Sequence, residues 1–60
     1  MTLIQLMAAM QDEMYNAQEE MDKFINGNKS AGTRVRKIMQ SIKSMAQDVR
    51  VQVQEIKNNS

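Results

Sequence analysis

The sequence has no cysteine, histidine, proline or tryptophan, and only two glycines. Without cysteine no disulfide is possible, and without histidine as well a structural zinc site has no ligand set. The lack of cysteine is compatible with a reducing compartment. Without proline nothing interrupts a long helix from within. Tyr15 and Phe24 are the only aromatic residues, so stacking on unpaired bases has almost no platform. The apolar run Leu6 to Met10 is too short to cross a membrane, and no basic segment precedes it as in a signal peptide. These absences predict a soluble, non-secreted chain with no membrane partner. No Ser/His/Asp, Cys/His or phosphate-loop arrangement occurs, so no enzyme activity, cofactor or small-molecule substrate is expected.

What remains is rich in Met, Gln, Ala, Lys and Glu, a helical composition. Sixty residues make one domain at most, near the size where a single core becomes marginal. Thr2 followed by Gln5 has the form of a capping box. A heptad seam then runs through Leu3, Met7, Met10, Met14, Ala17, Met21 and Phe24. Asn26-Gly27-Asn28 is the one strong break. Gly27 suits the left-handed end of one helix and Asn28 the N-cap of the next, with Ser30 or Thr33 as alternative caps. A second seam follows through Ala31, Val35, Ile38, Ile42, Met45, Val49, Gln52 and Ile56, where Gln52 breaks the pattern and Val53 takes over. Beside it lies a stripe of Gly32, Met39, Ala46 and Val53.

The expected architecture is all-α: an antiparallel two-helix hairpin over residues 1–60, with helices at about 3–26 and 29–57 and a turn at 26–28. Asn58, Asn59 and Ser60 should fray. The apolar face is wider than two helices need, which predicts a homodimer pairing two hairpins into a four-helix bundle. Its core and dimer residues are expected to be Leu3, Met7, Met10, Met14, Met21, Phe24, Val35, Ile38, Ile42, Met45, Val49 and Ile56.

Charge is divided between the halves. Residues 1–27 hold five acids and one base, a net of −4, while residues 28–60 hold seven bases and two acids, a net of +5. Every seventh residue from Lys29 is a cation: Lys29, Arg36, Lys43, Arg50 and Lys57. On a helix these form one row roughly 42 Å long. Such a row suits contact with the phosphates of duplex DNA, without reading bases. Asn28, Lys29, Ser30 and Gly32 at a helix start suggest a further anion contact, although capping alone accounts for Asn28 and Ser30.

Two other groupings have plainer readings. Met7, Met10 and Met14 have a thioether spacing, but all three fall on the seam and read as core. The acidic pairs Asp12/Glu13 and Glu19/Glu20 read as a solvated face or as partners for bases, not as a metal site.

The stretch Gly27-Asn28-Lys29-Ser30-Ala31-Gly32-Thr33-Arg34-Val35-Arg36-Lys37 resembles the linker-histone-like nucleoid proteins of bacteria, a family that includes the chlamydial histone-like DNA-condensing proteins. The likeness is sharpest over residues 26–37 and extends to about residue 50. It implies sequence-nonspecific binding and compaction of duplex DNA at the nucleoid in the cytoplasm. On matching positions it implicates Lys29, Arg34, Arg36 and Lys37. Lys43, Arg50 and Lys57 join the expected DNA-binding set from the row alone. A second reading is a structural subunit of a larger assembly, such as a virus particle, whose acidic and basic stripes pair between copies. Cations standing clear of carboxylates would favour the first reading.

Overall fold

A computed structural model describes residues 1–59. Helix α1 covers Leu3–Ile25 and helix α2 covers Lys29–Asn58, and no strand occurs among the described residues. The helices run antiparallel in a rod of 50 × 15 × 14 Å. Neither is long and apolar enough to cross a membrane.

Local chemistry sets the helix ends. The Thr2 hydroxyl accepts from the Gln5 amide, and the Gln5 side chain accepts from the Thr2 amide, each at 3.1 Å. Both bonds satisfy donors that the first helical turn leaves without partners. α1 stops at Asn26, whose side-chain amide donates to the Asp22 carbonyl at 2.8 Å. Gly27 follows with φ 107°, a conformation in which a side chain would be strained. The Asn28 side chain then accepts from the Ala31 amide at 3.2 Å and starts α2. At the far end Asn58 is helical, and the Asn59 amide donates to the Glu55 and Ile56 carbonyls. Ser60, the third residue expected to fray, lies outside the described residues.

The buried core is small: Leu6, Ala17, Ala31 and Val35. Ala17 and Ala31 are buried on opposite helices, and small side chains there let the backbones approach. Near the turn the Phe24 ring lies over Gly32, where an added Cβ would sit 2.8 Å from ring carbons Cδ1 and Cε1. Val35, Ile38, Ile42, Met45 and Val49 lie on the α2 contact line, the first buried and the others half-buried. On α1 the line is Leu3, Leu6, Met10, Glu13, Ala17 and Glu20, all buried or half-buried.

That line differs from the heptad reading of α1. Leu3, Met10 and Ala17 are common to both, but Leu6, Glu13 and Glu20 take the places expected for Met7, Met14 and Met21. The three methionines are exposed at 49%, 45% and 40%. Phe24 and Ile56, also expected in the core, are largely exposed. The cause is a rotation of α1 by about one residue, which brings Glu20 within reach of Arg34. At the open end Gln52 stays in the seam: its Nε2 donates to the Met1 carbonyl at 3.2 Å. Val53 therefore does not replace it in the hairpin, and remains exposed.

Candidate nucleic-acid interface

Two residues apart on a helix means roughly 200° of rotation, so Arg34 and Arg36 project from different sides of α2. Arg34 leans over one edge of the seam, where its Nε donates to Glu20 Oε2 at 2.7 Å. Lys23 reaches the other oxygen of that carboxylate at 3.4 Å. The Arg34 guanidinium and, next to it, the Lys23 ammonium stabilise the charged form and hold Glu20 below the ordinary carboxylate value of 4.5, against partial desolvation. Of the residues expected to meet DNA, Arg34 is thus engaged by an acid of its own hairpin.

Arg36 belongs to the other edge. A shallow depression there is lined by Met21, Phe24, Lys29, Gly32, Thr33, Val35 and Arg36. The next along α2 is lined by Arg36, Met39, Gln40 and Lys43. These linings place Met21 of α1 and Gly32 of α2 together and Met39 next along α2; at helical spacing Met7 and Met14 continue the first row and Ala46 and Val53 the second. Lys29, Arg36 and Lys43 of the cation row form the border of this face.

Lys29, Arg36, Lys43 and Arg50 are all exposed, and no acid lies within ion-pair distance of any of them among the described residues. Lys57, the last of the row, is exposed near the end of α2. Lys37 is exposed on the outer side of α2, in a depression shared with Thr33, Arg36 and Gln40. From Lys29 to Arg50 the row spans roughly 32 Å at the rise of an α-helix, close to one turn of B-form DNA at ~34–36 Å. Glu20 is taken by Arg34 and Lys23 at the opposite edge of the seam, and Asp48 lines a depression with Lys43 without forming an ion pair among the described residues. Sequence reasoning found the row through its period of seven. It could not separate Arg34 from Arg36, because that requires knowing which edge faces α1.

The geometry offers a ladder of exposed basic side chains beside an open apolar face. No group of three or more acidic residues is disposed to hold a metal ion among the described residues. Comparison with curated proteins and with solved structures returns no match. The family model described as histone H1-like protein Hc1 matches residues 4–59, nearly the whole chain. Its span includes all of α1 but Leu3, the turn, α2 and the complete cation row, and the chain therefore belongs to the histone H1-like protein Hc1 family.

Proposed function

We propose that this chain binds duplex DNA without sequence preference, through the cation row of α2, and acts as a homodimer that compacts DNA at the nucleoid. The observation that carries the reading is the row itself. Lys29, Arg36, Lys43 and Arg50 stand exposed, with no ion pair among the described residues, in a chain whose family is histone H1-like. Lys57 extends the row and Lys37 adds charge beside it. Arg34 serves the hairpin through Glu20. With almost no aromatic side chains, contact is limited to the phosphate backbone, where each cation displaces counterions and carries no sequence information.

The dimer follows from what the hairpin leaves uncovered. Four buried residues are a small core for an independently folding domain. Met7, Met14, Met21, Met39 and Val53 share one face and are each 39–49% exposed. A second copy seated there completes a four-helix bundle.

A gel shift with unrelated duplexes across a salt series tests the binding. The expected result is equal affinity for all sequences and a steep loss with salt. Binding confined to one sequence, or indifferent to salt, would refute it. Sedimentation at micromolar concentration tests the dimer, and a stably folded monomer would remove it.

A further inference from the structure

The geometry points to a dimer that bridges two DNA duplexes, with its basic rows on opposite sides of the bundle and each row bordered by uncharged residues of the second copy. This rests on the dimer and the cation row proposed above.

A hairpin that packs through its methionine face can meet its copy in two ways. With the two-fold axis across the helices, α1 lies on α1 and α2 on α2. The basic row of one copy then meets that of the other on a single side. With the axis along the helices, α1 of each copy lies on α2 of the other, and the rows occupy opposite sides. Charge separates the two. The α1 half carries a net −4 and the α2 half +5. Only the second packing surrounds every helix with neighbours of opposite sign, whereas the first juxtaposes like-charged helices along their length.

The register of the hairpin sharpens the argument. Glu20 bonds Arg34 and the Met1 carbonyl accepts from Gln52, so residue i of α1 lies level with a residue near 54 − i of α2. An axis along the helices preserves these levels. Met21 then faces Gly32 of the second copy, Met14 faces Met39 and Met7 faces Ala46. Large side chains meet small ones at both ends, and two flexible thioethers meet in the middle. Arg36, Lys43 and Arg50 come level with Gln18, Gln11 and Ile4 of the second copy, and Lys29 with Ile25. None of those four α1 positions is charged, so the residues level with the row carry no acid. It also accounts for Ile4 and Ile25, exposed at 83% and 71% in the hairpin, since the alkyl stems of Arg50 and Lys29 would cover them. The glutamines place amide donors beside the cations, where phosphate oxygens would lie.

Two experiments test the arrangement. The chain has no cysteine, so single substitutions report contacts cleanly. Disulfide formation requires Cα atoms within ~7 Å. A mixture of the Met14→Cys and Met39→Cys chains is expected to cross-link under mild oxidation, while neither does so alone. In the second experiment, bead-bound duplex is incubated with the unmodified protein and a labelled second duplex. The label should be retained, then released by raised salt. Self-cross-linking of the Met14→Cys chain would overturn the packing while leaving the dimer intact. Absence of any cross-link from a mixture that sediments as dimer and keeps its helicity would overturn it too. So would a dimer that binds one duplex and captures no second. A monomer that still binds DNA would instead bring down the dimer on which the inference stands.

Discussion

Replacing Arg36, Lys43 and Arg50 together by Gln gives the most direct quantitative test of the row. These side chains are exposed and hold no ion pair among the described residues. Gln matches Lys and Arg closely in helix propensity, so helicity and melting should barely change, as for surface substitutions in general. Binding should respond strongly. Each phosphate contact contributes about −0.9 to the slope of log affinity against log salt, so six contacts from Lys29, Arg36, Lys37, Lys43, Arg50 and Lys57 give about −5.4. Between 0.05 and 0.2 M salt the native chain would lose about 1,800-fold in affinity. The variant retains Lys29, Lys37 and Lys57, so its slope falls to about −2.7 and its loss over that range to about 40-fold. Fluorescence anisotropy with a short labelled duplex at several salt concentrations measures both slopes. A variant that keeps the native slope would place the phosphate contacts elsewhere. One that loses its helicity would show the row to be structural.

Other consequences concern the hairpin. Glu20 has a lowered pKa because Arg34 and Lys23 favour its charged form. Its contribution to stability is therefore complete above the ordinary value of 4.5 and is lost as pH falls through the lowered one. Thermal melts followed by circular dichroism should show this acid-side loss in the native chain, and less of it in Glu20→Gln, which should already be the weaker at neutral pH. Leu6 is 3% exposed, and Leu6→Ala should cost about 3 kcal/mol, enough to unfold a hairpin with so little core in a urea titration. Thr2→Ala removes the hydroxyl that accepts the Gln5 amide and should cost about 1 kcal/mol with DNA binding by folded protein unchanged. An unaltered denaturation midpoint in either variant would contradict the packing or the cap.

How far the molecule could be read from its sequence depends on the range of the interactions concerned. The Thr2–Gln5 box, the positive φ at Gly27 and the Asn28 cap involve residues at most three apart, and all occur. The two helices were legible for the same reason, and the period-seven row of α2 followed from the regular geometry of a helix. The rotation of α1 was not. Leu3, Met10 and Ala17 serve either contact line, and hydropathy favours Met7, Met14 and Met21 over a line containing Glu13 and Glu20. The balance is tipped by distant partners: Arg34 reaching Glu20, Ala31 buried across from Ala17's helix, and Phe24 resting on Gly32. Gln52 looked like a flaw in its seam for want of the same knowledge, since its partner is the carbonyl of Met1.

That rotation connects the fold to the proposed chemistry. Turning α1 toward Leu6 and Glu20 occupies a carboxylate with Arg34 at one edge of the hairpin and leaves the methionines uncovered at the other. The uncovered edge is also the one bordered by Arg36 and Lys43. Acid is thereby used where the hairpin closes, while flexible apolar side chains lie beside free cations. A rod with an uncovered apolar face and a charged margin differs from one whose charges are mutually satisfied. On the proposed reading, its apolar face receives a second hairpin and its margin a polyanion. If the copies meet α1 against α2, the residues beside each row are Ile4, Gln11, Gln18 and Ile25, so association need not consume the charge on which binding depends.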